Sequence, residues 1–152
     1  MKKILILSKN IAEASVPHIT NSNAVISITD PDSKNPAKFT VNNYTKDVLY
    51  IKCYDIDGRN DRTLECLPEK YRNGLFTDEH AKEVLTFVDN IKNDIDTLVC
   101  HCDAGISRSA GVAAAISLIF MGSDSRIFNS KKYIPNMFVY RKILNNYYGE
   151  IK

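Results

Sequence analysis

Apolar positions along the chain fall into short blocks of two kinds. Unbroken runs at Ile4–Leu7, Ala24–Thr29, Val48–Tyr54 and Thr97–His101 each read as a buried strand. Asp30-Pro31 stops the second of these. A helical stripe of Ala81, Val84, Leu85, Val88 and Ile91 predicts a helix over 77–93, with Thr77 as N-cap and Asp78 and Glu79 in its first turn. Ser109–Met121 is apolar on nearly every face and predicts a buried helix ended by Gly122. A short helix is expected over Ser125–Asn129. A last one begins near Pro135 and turns Met137, Tyr140, Leu144 and Tyr147 inward. The segment 30–46 reads as loop with an edge strand around Phe39–Val41. The connection 55–76 is long enough to be a functional lid or to hide a short helix. The order β, β, β, α, β, α, α predicts an α/β fold: a largely parallel central sheet flanked by helices, in one domain over 1–152. Ligands of such sheets bind at the carboxyl ends of the strands.

Composition narrows the class. The chain has 152 residues, 44% hydrophobic and 25% charged. That suits a soluble globular domain and excludes disordered, collagen-like and membrane-bundle chains. A net charge of +2 without long basic runs argues against nucleic-acid binding. The apolar stretch after Lys2-Lys3 is too short for a signal peptide, and no run spans a bilayer, so a cytoplasmic protein without a membrane partner is expected. The four cysteines, Cys53, Cys66, Cys100 and Cys102, are then expected as free thiols. Cys100-His101-Cys102 gathers metal-ligand residue types, but no CxxC pair or HxxxH partner stands elsewhere, so no metal is expected. His18 and His80 show no partner pattern.

The chemistry concentrates after the fourth strand, in His101-Cys102-Asp103-Ala104-Gly105-Ile106-Ser107-Arg108-Ser109. A loop joining a strand to a helix N-terminus turns backbone N–H groups inward, and the helix dipole adds positive potential. Gly105 lets such a loop curl. Arg108 offers a planar fork that grips two oxygens of a tetrahedral oxyanion. Cys102 stands at the base of this cradle, where positive potential favours the thiolate. A free cysteine, with a pKa of about 8.5, is only a few per cent thiolate at neutral pH, whereas one lowered to about 5.5 is mostly thiolate.

The Cys-x5-Arg stretch HCDAGISRSA resembles the phosphate-binding loop of the protein-tyrosine and dual-specificity phosphatase superfamily. The chain is most similar to small bacterial and viral members, through the strand tail CYDID, the helix start Leu75-Phe76-Thr77 with Ala81, and the segment Pro135-Asn136 with Val139 and Tyr140. The resemblance implies Cys102 as nucleophile, Arg108 as phosphate-binding arginine and a backbone cradle over Asp103, Ala104, Gly105, Ile106, Ser107 and Arg108. It implies that the Ser109 hydroxyl assists departure of the thiolate, and that His101 supports the loop and helps set the thiol. It implies an upstream aspartate as general acid. Asp55 is preferred, Asp57 is the alternative and Asp61 a remote third. No cofactor is needed.

These implications lead to a metal-independent phosphomonoester hydrolase acting, as a monomer, on phosphotyrosine, phosphoserine or phosphothreonine in proteins or peptides. The rivals are a rhodanese-like sulfurtransferase or arsenate reductase, a phosphate-binding module without turnover, and a phosphatase of lipid or RNA. Asp103 counts against very anionic substrates. Cys53 or Cys100 could pair with an oxidised Cys102, although core packing explains both. Arg59, Arg62, Lys70 and Arg72 could steer a phosphorylated substrate.

Overall fold

A computed structural model describes residues 1–57 and 64–149. In chain order the elements are β1 (Lys3–Ser8), α1 (Lys9–Ser15), a 3-10 turn (Val16–His18), β2 (Asn23–Thr29), β3 (Thr45–Lys52), α2 (Glu69–Arg72), α3 (Asp78–Ile91), β4 (Thr97–Cys102), α4 (Arg108–Met121), α5 (Ser125–Phe128) and α6 (Met137–Tyr148). The four strands form one parallel sheet in the order β1-β4-β2-β3. β2 and β4 are central and buried along their whole length, which is why they read as continuous apolar runs. β3, at one edge, is exposed or half-buried over most of its length.

Side-chain alternation divides the core. Ile4, Ile6, Ile26, Ile28, Leu98 and Cys100 pack with the buried faces of α3, α4 and α6. On the other face Val25 and Val99 meet Val16, with Leu5, Leu7 and Phe39 beside them. α4 is buried through Ser117, in keeping with its apolar composition. Gly122, at φ 84°, closes its C-terminus as expected. No described helix is long and apolar enough to cross a membrane.

The structure corrects several expectations. No strand forms at Phe39–Val41; Phe39 instead takes the Tyr50 hydroxyl as acceptor for its N–H at 3.1 Å and lies over the second core. β3 ends at Lys52, short of Tyr54. Tyr54 leaves the ladder because its N–H bonds the Gly74 carbonyl at 2.8 Å. The long connection does hold a short helix, α2. α1 was absent from the pattern. Its signal is Ser8, whose side chain caps the Ile11 N–H directly after a strand. α6 starts at Met137, since Asn136 and not Pro135 provides the cap. It buries Val139 and Ile143, and Tyr147 is half exposed, because the helix lies against both α3 and α4.

Candidate active site

β4 ends at Cys102, and the chain curls through 103–107 into α4. Gly105 adopts φ 70°, and a Cβ there would stand 2.5 Å from the Leu7 carbonyl carbon and the Ser8 nitrogen, so the loop closes against β1 only with glycine. Lys9 N–H donates to the Asp103 carbonyl at 3.1 Å and ties the loop to α1. Ser107 is the N-cap of α4, yet its hydroxyl makes no cap bond. It donates instead to Asp55 Oδ1 at 2.7 Å. The N-cap hydroxyl thus does not compete for the amides at this helix start, which leaves them to an anion.

The Cys102 sulfur is buried and lies 3.0 Å from the Ser109 hydroxyl, itself fully buried. A thiolate at this position would receive that hydroxyl's proton as a hydrogen bond. Arg108 is 4% exposed and is held through one nitrogen: Nη1 donates to Asp30 Oδ1 at 2.7 Å and to the Cys53 carbonyl at 2.6 Å. Nη2 lies 3.7 Å from Asp103. Nε is buried and has no partner among the described residues. An orphaned guanidinium donor is costly unless something binds it, so the Nε–Nη2 edge fits an arriving oxyanion. Burial alone would lower the pKa of Arg108; the Asp30 carboxylate, with Cys102 and Cys53 nearby, outweighs it and raises the pKa above the ordinary value.

His101 points to the second face of the sheet, with its ring 5.4 Å from that of Phe39. Nε2 lies 2.6 Å from the Ser27 hydroxyl and Nδ1 3.3 Å from the Cys102 carbonyl. A carbonyl can only accept, so Nδ1 carries the proton and Nε2 accepts from Ser27. Burial, opposed by the Cys102 carbonyl, lowers the pKa and keeps the ring neutral. His101 therefore fastens the end of β4 to β2.

Asp55 comes to the loop through Ser107 and through Asn136, whose Nδ2 donates to Asp55 Oδ1 at 2.9 Å and to the Ile56 carbonyl at 3.2 Å. Asn136 also bonds the Ser107 carbonyl through its own N–H and caps α6 at Val139. Gly111 permits this approach, since a Cβ there would lie 2.6 Å from the Asn136 carbonyl oxygen. Asp57 follows two residues later and is half-buried. Asp61, Arg59 and Arg62 lie outside the described residues. Lys70 pairs with Asp32 at 3.0 Å and lies over the rings of Tyr54 and Tyr71, while Arg72 is exposed.

Two residues escaped the sequence reading. Asp30 looked like a strand stop and Asn136 like part of a similar segment. Their common signal is a polar side chain at an element end that faces the carboxyl edge of the sheet. Cys53 and Cys100 are buried free thiols; burial pushes Cys53 up to about 12 and Cys100 higher still. Among the described residues no three His, Cys, Asp or Glu side chains converge on a metal position.

No protein family model and no curated protein matches the chain. Solved structures do. Human tyrosine phosphatase-like serine/threonine/tyrosine-interacting protein superposes with a TM-score of 0.64 at 17% identity, over 95% of this chain and 91% of that one. Human DUSP28 gives 0.59 at 12%, over 94% and 90%. The Orf virus tyrosine phosphatase OH1 gives 0.54 at 13%, over 95% and 82%. The chain thus has the α/β fold of cysteine-based tyrosine and dual-specificity phosphatases, with a candidate Cys-x5-Arg motif at Cys102 and Arg108.

Proposed function

We propose that the protein is a cysteine-dependent phosphatase that hydrolyses phosphomonoesters of proteins or peptides through a phosphocysteine intermediate, with 1–152 as one catalytic domain. The observation that carries this reading is buried Arg108, anchored on Asp30 and the Cys53 carbonyl, with its Nε donor left without a partner among the described residues at the loop that opens at Cys102.

In the first step the Cys102 thiolate attacks phosphorus in line, and the bond to the ester oxygen breaks as Asp55 gives that oxygen its proton. Arg108 and the amides of 103–108 hold the three equatorial oxygens. In the second step Asp55, now a carboxylate, takes a proton from water as its oxygen attacks the phosphocysteine. The thiolate leaves with the Ser109 hydroxyl donating to it. Asp55 is favoured over Asp57 because it is bonded to the loop through Ser107. His101 acts from behind, by holding the strand that carries Cys102.

The test is hydrolysis of a generic aryl phosphate from pH 5 to 8 without added metal. Vanadate-sensitive turnover that vanishes in Cys102→Ser is expected. Asp55→Asn is expected to lower turnover roughly 10²- to 10⁴-fold. A folded protein that binds vanadate but turns nothing over would replace this reading with a phosphate-binding module. A damaging Asp57→Asn with a harmless Asp55→Asn would reassign the acid.

A further inference from the structure

β1 is an edge strand, and among the described residues it pairs with β4 alone. Lys3 and Lys9 donate their N–H groups toward the β4 side, to Asp96 and Asp103. Strand alternation therefore turns the main-chain groups of Ile4, Ile6 and Ser8 the other way. The Ile4 carbonyl confirms it by accepting from Arg126 Nη2 at 2.9 Å. The outward groups of Ile6 face a groove of about 660 Å³ that runs between β1, the segment 126–133 and the outside of the loop at Ala104, Gly105 and Ile106. Its charged lining residues, Arg126 and Lys132, are both cationic. Exposed Ile11 and Ile106 supply apolar walls.

We propose that this groove binds the chain flanking the phosphorylated residue of a protein substrate, laid in extended form along β1 with acidic side chains toward Arg126 and Lys132. The proposal rests on the phosphatase reading and deepens it. An open strand edge offers a donor and an acceptor in the spacing of another main chain, which a lipid headgroup cannot match. The two cations set the sign of the flanking residues. Because Ser8 pairs in register with Cys102, a segment aligned on β1 runs toward the cradle. The groove and the cradle also share the loop residues 104–106 as a common wall.

The test uses the full chain carrying Cys102→Ser, labelled for amide NMR, with four probes: inorganic phosphate, phosphoinositide vesicles, a phosphotyrosyl peptide with acidic flanks, and the same peptide with neutral flanks. The acidic peptide is expected to slow hydrogen exchange at the Ile6 N–H, and inorganic phosphate to leave it unchanged. Lys132→Glu is expected to weaken the acidic peptide roughly five- to tenfold and to leave phosphate affinity within about twofold, as for a charge at an interface rim. Saturation by the peptide without protection at Ile6 would overturn the proposal. So would equal affinity for the two peptides, or protection of Ile6 by phosphoinositide vesicles or by self-association in place of peptide. Failure of the wild type to hydrolyse aryl phosphate would overturn the phosphatase reading alone, because Ile6 protection is read in a variant that needs no turnover.

Discussion

Arg108 and Asp55 reach the loop through different intermediaries, and each intermediary makes a prediction. Asp30 holds Nη1 of the arginine at 2.7 Å. A hydrogen bond between charged groups contributes about 1.5–3 kcal/mol, and the partial exposure of Asp30 brings that to the low end. Asp30→Ala is therefore expected to weaken vanadate inhibition about tenfold, and an unchanged inhibition constant would remove Asp30 from the site. Asn136 holds Asp55 at 2.9 Å and also caps α6. Asn136→Ser keeps a capping oxygen but is too short to reach the carboxylate. Its rate on an alkyl phosphate, whose poor leaving group needs the acid, is expected to fall roughly 10²-fold, against a few-fold at most on an aryl phosphate. Equal losses on both would mean that Asn136 supports only the fold. Neither residue is legible from the sequence as a neighbour of the candidate site. Cys102, Gly105 and Arg108 announce themselves through local spacing, whereas Asp30 and Asn136 act on partners remote in sequence.

Among the elements, α3 shows what local pattern can and cannot convey. Thr77 and the acidic first turn located its start. His80 had no visible partner, yet it occupies the third helical position, and its Nδ1 accepts the Thr77 N–H at 3.0 Å while Thr77 Oγ1 accepts from His80 N–H. This is a capping box with an imidazole where glutamate or glutamine usually stands. Protonation would destroy the acceptor. Burial lowers the pKa of His80, and burial likewise lowers that of His101. The folded state therefore binds fewer protons than the unfolded one below the ordinary value of 6.5. These two groups contribute stability that is present above that value and lost as pH falls through the lowered folded values. Thermal unfolding is expected to show a lower midpoint at pH 5.5 than at pH 7.5, with a smaller drop in His80→Gln, whose amide oxygen accepts the same bond without titrating. An identical drop in the variant would show that the cap does not contribute to the pH dependence. α6 departs from its sequence pattern for a reason of another kind. Its inward face is chosen by two neighbouring helices at once, which centres burial on Val139 and Ile143.

For the whole molecule, the largely parallel sheet is legible in four apolar runs, and the candidate Cys-x5-Arg loop follows the carboxyl end of β4. The strand order is not legible there, because β4 inserts between β1 and β2 and no local pattern encodes that step. Insertion is what brings Asp30, at the end of β2, next to a loop that follows β4. The two faces of the sheet are unequally covered: among the described residues α3, α4, α5 and α6 contribute to the core on one, while α1, a 3-10 turn and the extended segment around Phe39 lie on the other. Residues 31–36 are exposed. Limited proteolysis is expected to cut within 31–36 well before α4 or the sheet, and early cuts in α4 would contradict this order of stability. The second anchor of Arg108, the Cys53 carbonyl, belongs to the main chain. Every amino acid supplies that oxygen, so position 53 can change over evolutionary time to any side chain that fits its buried space without releasing the arginine, as long as the backbone path at the end of β3 survives. Relatives of this protein should then keep an acid at position 30 while exchanging small apolar residues at 53, and half of the arginine's support will leave no trace in any sequence comparison.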